Sequence, residues 1–281
     1  MPEGDTIFRA ARSLRQWIGG REITGARSQR ARVPPERLVG QTIEAVEARA
    51  KHLLIRLSSG EVLHTHMRMT GSWHVYSAGE RWRKPGWQAR LVLETGDRVA
   101  VCFEAPVVEL LAPGEENRHP SLSRLGPDVL VDPLDLDEVR RRASTRSLDT
   151  PIGVLLLDQQ VVSGIGNIYR CESLFVRRLY PWVPRSDLSD EDMDELVRAA
   201  ARLMRANLEP SQGFGRDFGG GAGRPRVYGR HRRPCPRCRA PIEAAMIGDE
   251  ARQVWWCPVC QPAAPHGSRA PARAGELPPA P

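Results

Sequence analysis

The residues best suited to chemistry lie at the two ends of this chain. Near the C-terminus, Cys235-Pro-Arg-Cys238 is followed, after eighteen residues, by Cys257-Pro-Val-Cys260. A Cys-x-x-Cys knuckle turns two thiolates toward one ion, and two knuckles at this separation complete a tetrahedral four-thiolate zinc site. Protein ligands fill all four positions, so the ion would be structural rather than catalytic. The segment between the knuckles is too short to build a core, and the metal must supply much of its folding energy. Disulfides or a redox pair would require an oxidising compartment or a thioredoxin-like setting, and neither is indicated; Cys102 and Cys171 are scattered.

At the other end the chain reads Met1-Pro2-Glu3-Gly4-Asp5. Methionine before a small residue is usually removed, which would expose Pro2 as a secondary amine. An α-amino group has a pKa near 8, so part of it is unprotonated at neutral pH. Such an amine can attack an aldehyde-like sugar carbon and form an iminium, the chemistry of a lysine Schiff base. Glu3 stands next to it as a proton donor or shuttle. The third candidate is Lys51. Of 41 basic residues only Lys51 and Lys84 are lysine; arginine clamps phosphate well but is a poor base or nucleophile, so a lysine among arginines is a candidate for chemistry. Lys84, in Arg81-Trp-Arg-Lys-Pro85, reads as a loop residue.

The net charge of +7 and pI of about 9.5 suggest a polyanionic partner. The basic residues crowd the cysteine module: Arg224, Arg226, Arg230, Arg232, Arg233, Arg237, Arg239 and Arg252, with Tyr228, Trp255 and Trp256 among them. Arginines on a rigid hairpin suit contact with a phosphate backbone; a solvated charged face is the other reading. The first 20 residues carry charges throughout, unlike a secretory signal, and no apolar run approaches the ~18 residues of a membrane span. The cysteine usage fits a reducing cytoplasm.

Around these residues the periodicity outlines the scaffold. Residues 6–18 read as an amphipathic helix, with Asp5 or Thr6 as its cap. From about 21 to 111 come short strands, including Thr42–Val46, His52–Leu57, Val62–Met67, Ala89–Glu94 and Val99–Glu104, which favour a sandwich or barrel-like β domain. Residues 112–135 contain Pro113, Pro120, Pro127 and Pro133 and read as a linker. Helical periodicity then returns: Thr150-Pro151 is a helix start with Thr150 as cap, and Ser189 with Asp192 resembles a capping box before a helix near 190–206. The glycine-rich stretch 212–224 reads as a mobile loop, and the Pro- and Ala-rich end as disordered.

Six segments, in order, resemble the formamidopyrimidine-DNA glycosylase and endonuclease VIII family: Met1-Pro-Glu-Gly-Asp5, Ala50-Lys-His-Leu-Leu54, Leu125-Gly-Pro-Asp128, Ser163-Gly-Ile-Gly-Asn-Ile-Tyr169 with Glu172-Ser-Leu-Phe175, Val227-Tyr-Gly-Arg230, and the ribbon ending at Gln261. The Gly-Asp after Pro-Glu is like the actinobacterial endonuclease VIII branch. The resemblance implies an α+β multidomain protein: a catalytic β-sandwich domain with a leading helix over 1–118, a linker over 119–136, a helical helix-two-turns-helix domain over 137–222, a zinc ribbon over 223–262 with one structural zinc, and a tail over 263–281. It implies a monomeric, cytoplasmic base-excision-repair enzyme, nucleoid-associated when bound, that acts on damaged double-stranded DNA or on single-stranded or bubble DNA.

The implied roles fall on particular residues. Pro2 would attack the sugar C1′ of the damaged nucleotide, Glu3 would protonate the opening sugar, and Lys51 would approach the lesion phosphate. Asn167 and Arg252 would bind backbone phosphate. Met69 would fill the gap left by the extruded base, or else be a core methionine, and Ser163-Gly-Ile-Gly-Asn167 could equally be a plain helix-hairpin turn. The 212–224 loop would close over the extruded base. Two departures matter. Relatives commonly carry a second Glu where this chain has Thr6, and no Arg-Phe wedge is evident in 101–111, which favours oxidised pyrimidines over purines. The competing reading is a non-catalytic zinc-ribbon binder of DNA or RNA with a vestigial start.

Overall fold

The computed structural model describes residues 2–29, 33–209, 216–218 and 223–263. The chain divides into two compact units, 1–125 and 126–281.

The first unit opens with α1 (Gly4–Ile18), whose Ile7, Ala11, Leu14 and Ile18 form a buried stripe at helical spacing. Its start is two residues earlier than the sequence suggests. Glu3, not Asp5 or Thr6, holds the cap position, and the Glu3 carbonyl accepts from the amides of Thr6 and Ile7. Two antiparallel four-stranded sheets follow. One runs β2 (Ile43–Arg49), β3 (His52–Leu57), β4 (Val62–His66), β8 (Val107–Leu111); the other runs β1 (Gly25–Ser28), β6 (Ala89–Glu94), β7 (Arg98–Phe103), β5 (Ser72–Ser77). Leu53, Ile55, Leu57 and Leu63 of the first sheet share one buried core with Trp73, Leu91, Leu93, Ala100 and Cys102 of the second and with the stripe of α1. This is the expected β-sandwich with a leading helix. The opposite face of the first sheet carries Leu54, Val62 and Leu111, covered by Leu122 and Leu125.

The second unit is helical: α2 (Leu136–Ser144), the short α3 (Ile152–Leu155), α4 (Asn167–Arg177) and α5 (Asp190–Arg205). Ser189 caps α5 by accepting from the Asp192 amide at 3.1 Å, as the capping box predicts. Thr150 does not cap α3; Pro151 holds that position, because the chain is still extended there in an antiparallel bridge to Pro184. The antiparallel pair β9 (Glu243–Ile247) and β10 (Arg252–Trp256) forms the ribbon hairpin. The ribbon shares a core with α4 and the segment after it: Phe175, Cys171 and Tyr180 pack with Val227, Ile242, Val254 and Trp256.

Candidate functional site

Pro2 is half-buried and directly precedes α1, and the Glu3 side chain beside it is fully enclosed, at 0% exposure. A carboxyl is costly to bury, so full enclosure marks Glu3 as a candidate for chemistry. Asp5, one residue before the Thr6 departure, is also fully buried, with Arg9 at 3.5 Å. The chain therefore has a second enclosed acid here, which reasoning from position 6 alone missed.

α1 packs on β2 and β3, and the turn joining those strands carries Lys51. Arg49 pairs with His52, so the turn has only Ala50 and Lys51, with Ala50 in the left-handed region at φ 56°. Lys51 sits beside His66, whose imidazole is held down to about 4 by burial first and then by the charges of Arg68, His64 and Lys51. Lys84 instead pairs with Glu104 at 2.9 Å, in line with its reading as a loop residue.

Met69 lies in the turn between β4 and β5 and is 60% exposed, whereas Met67 is the buried methionine of that segment. The core reading of Met69 is thereby removed. Gly71 closes the turn, because a Cβ there would lie 2.7 Å from the Met67 carbonyl oxygen and 3.0 Å from Ala105 Cα.

In the second unit, two motifs that the sequence presents 35 residues apart form one turn. Ser163 Oγ donates to the Gly126 carbonyl at 2.9 Å, the Ser163 amide to Pro127 at 2.9 Å, and the Val129 amide to the Ser163 carbonyl at 3.1 Å. Gly126 is required by close approach: a Cβ would meet the Val161 carbonyl oxygen at 2.4 Å. The turn delivers Asn167 to the first position of α4. Asn167 Nδ2 donates to the Gln253 carbonyl at 2.9 Å, and the buried Arg170 donates to the same carbonyl at 2.7 Å, to Asn167 Oδ1 and to the Gly153 carbonyl. Gln253 adjoins Arg252, whose side chain is 54% exposed. The structure thus brings together Asn167, at the anion-favouring N-terminus of α4, and the residue next to Arg252.

Sequence reasoning also missed Glu172. It is fully buried, and its carboxylate accepts from the amides of Arg226, Val227 and Tyr228 at 2.9–3.0 Å, fixing the strand of chain that leads into the ribbon. Burial pushes its pKa up, and those three amides oppose the shift.

The four cysteines of the knuckles converge, with all sulfurs within 4.8 Å of one another. Cys235 and Cys260 sulfurs are 3.9 Å apart and those of Cys238 and Cys257 3.4 Å, too long for S–S bonds and close to the edges of a tetrahedron of thiolates around zinc. The amides of Arg237 and Cys260 point at the Cys235 and Cys257 sulfurs at 3.4 Å, as knuckle amides do toward thiolates. The Ala240 amide holds the Cys238 thiol down to about 7. The donor set fits one zinc ion.

Part of the 212–224 loop lies outside the described residues, as does the tail from 264. The described piece is anchored: Asn207 bonds the Asp217 carbonyl at 3.0 Å and the Asp217 amide at 2.6 Å, and the Phe218 ring packs 5.3 Å from that of Tyr169. Among the described residues no helix is long and apolar enough to cross a membrane.

Comparison with known proteins defines the class first. Residues 1–106 match the formamidopyrimidine-DNA glycosylase N-terminal domain and residues 125–217 its helix-two-turns-helix domain. The chain is 39% identical over 271 residues to the probable endonuclease 8 2 of Streptomyces coelicolor, covering 93% of this chain and 94% of that protein. It is 34% identical to endonuclease 8 of an Enterobacter species, covering 93% and 100%. Among solved structures, the MutM (Fpg) protein of Thermus thermophilus superposes with a TM-score of 0.78 at 28% identity, covering 94% of this chain and 100% of that one. The Lactococcus lactis Fpg in complex with Fapy-dG-containing DNA shares the fold, with a TM-score of 0.78 at 22% identity, covering 92% and 99%. The chain belongs to the formamidopyrimidine-DNA glycosylase and endonuclease 8 family of bifunctional DNA glycosylases and abasic-site lyases.

Proposed function

We propose that this protein excises oxidised bases, preferentially pyrimidines, from damaged double-stranded DNA and then cleaves the strand, with Pro2 as nucleophile. The observation that carries the reading is the fully buried Glu3 carboxyl directly after Pro2 at the start of α1. The Pro2 nitrogen attacks C1′, the base leaves with the electrons of the glycosidic bond, and the proton released from the amine passes through solvent to the departing base. Glu3 gives a proton to the ring oxygen as the sugar opens, leaving a C1′ iminium. Loss of a C2′ proton then expels the 3′ phosphate by β-elimination, a further elimination expels the 5′ phosphate, and hydrolysis of the iminium frees Pro2. Lys51 steers the lesion phosphate, Met69 fills the space vacated by the base, and Asn167 with Arg252 holds flanking phosphates. Asp5 supplies the carboxylate that relatives carry one residue later.

One structural zinc in the ribbon would be held by Cys235, Cys238, Cys257 and Cys260. It would supply folding energy to the hairpin that presents Arg252 and take no part in the reaction. The unpaired cysteines support a cytoplasmic protein, nucleoid-associated when bound. Borohydride reduction during turnover tests the central step. A covalent protein–DNA adduct that maps to Pro2 is expected, and its absence, or an adduct at Lys51, would reject the iminium assignment. A panel of oxidised-pyrimidine and oxidised-purine duplexes tests the preference.

A further inference from the structure

We propose that His64, Glu109 and His119 form a second divalent-cation site, of the zinc class, on the outer face of the first sheet and separate from the four-cysteine ribbon. His64 lies on β4, directly opposite Glu109 on β8, and His119 is in the segment that covers that face. His64 Nδ1 is 2.8 Å from Glu109 Oε1, His119 Nε2 is 3.0 Å from the same oxygen, and the three donor atoms lie within 4.8 Å of one another. Two imidazoles and one carboxylate are a common zinc donor set. Tetrahedral zinc bonds of about 2.0–2.2 Å would set the donors roughly 3.3–3.5 Å apart. Side-chain adjustments on the order of an ångström close that geometry.

The surroundings also suit a ligand histidine. A metal-bound imidazole donates its second N–H to a neighbouring acceptor, which fixes the tautomer and the ring orientation. His64 Nε2 lies 2.8 Å from Nδ1 of the buried His52, and the two rings stack at 5.0 Å. Without a cation, the three groups satisfy one another: His64 Nδ1–H and His119 Nε2–H both donate to a single oxygen of Glu109. With a cation at their meeting point, the His64 proton moves to Nε2 and is donated to His52, whose own proton moves to its other nitrogen. His64 is 1% exposed, whereas the Glu109 and His119 side chains are 32% and 14% exposed, so a water can complete the coordination from outside. The ion would pin the covering segment, held otherwise by Leu122 and by the Arg56–Glu116 pair at 3.0 Å, to β4 and β8. Through His52, the residue after Lys51, it would also stiffen the hairpin that carries that lysine.

The test is metal stoichiometry on the tag-free, full-length protein equilibrated in zinc-buffered solution, with cobalt substitution to tell the sites apart. Wild type should bind a second equivalent of zinc beyond the ribbon's. His119→Ala and Glu109→Gln should each lose one equivalent, while the thiolate-to-cobalt charge-transfer bands of the ribbon persist. Circular dichroism identifies any variant that does not fold; should one fail, the other and the wild-type count still decide. A single equivalent in wild type, or an unchanged count in the folded variants, overturns the proposal.

Discussion

Glu3, as the proposed proton donor, should matter differently to the two halves of the reaction. When a base is present the sugar is locked as a glycoside, and opening it requires a proton on the ring oxygen. An abasic sugar opens unaided, so the amine can form its iminium without that proton. Glu3→Gln should therefore lower base excision by about 10²–10⁴-fold, the usual worth of a positioned general acid, and slow abasic-site cleavage far less. Single-turnover assays on a lesion duplex and on an abasic duplex check this; equal losses on both would remove Glu3 from the protonation step. Asp5 invites a parallel measurement. If it stands in for the missing acid at Thr6, then Asp5→Asn should lower excision while circular dichroism stays native, and unchanged excision would leave Asp5 a purely structural partner of Arg9. Pro2, Glu3 and Lys51 could be nominated from the sequence because the chemistry proposed for them depends on residue type and local order. The histidine cluster was not, because His64, Glu109 and His119 meet only through strand pairing and a covering segment, which no local spacing encodes.

Among elements, Glu172 has the clearest structural consequence. Its buried carboxylate accepts from the amides of Arg226, Val227 and Tyr228, and at the buried Val227 amide water has little access to replace it. Glu172→Ala should destabilise the second unit by about 1–3 kcal/mol for each amide left unsatisfied, read as a fall in Tm. An unchanged Tm would mean that the chain at 226–228 finds other acceptors. The same scale explains which elements could be read in advance. β3 and β6, flanked by partners on both sides, were legible to the residue from their apolar runs. Among the described residues β1 and β5 lie at the edges of one sheet, and there the apolar pattern is broken: Ser72–Ser77 alternates only partly, and Gly25–Ser28 has no apolar run at all. The ribbon cysteines announced their hairpin, but not that Ile242, Val254 and Trp256 would share a core with α4.

For the whole molecule, the question is how far the ribbon metal matters beyond the ribbon. The first unit has its own core, built from α1 and both sheets. In the second unit Cys171 and Phe175 of α4, with Tyr180 just after it, share a core with the ribbon, and Asn167 and Arg170 tie α4 to the hairpin through the Gln253 carbonyl. Removing the ribbon ion should therefore weaken the helical elements of the second unit as well as the hairpin, and leave the first unit's core intact. Chelation would also strip the proposed histidine site, so Cys238→Ser, at an exposed ligand, is the cleaner perturbation. Calorimetry should show one transition displaced downward and one unmoved. If the hairpin binds phosphates as proposed, DNA affinity should fall along with its salt dependence, because those contacts are lost together. Arg252→Ala calibrates that effect. Arg252 is exposed, so if it binds one phosphate as proposed, the slope of log affinity against log salt should fall by about one unit with the fold intact. If Cys238→Ser changed the slope no more than Arg252→Ala does, the metal would be holding a single arginine in place rather than the whole basic face of the ribbon.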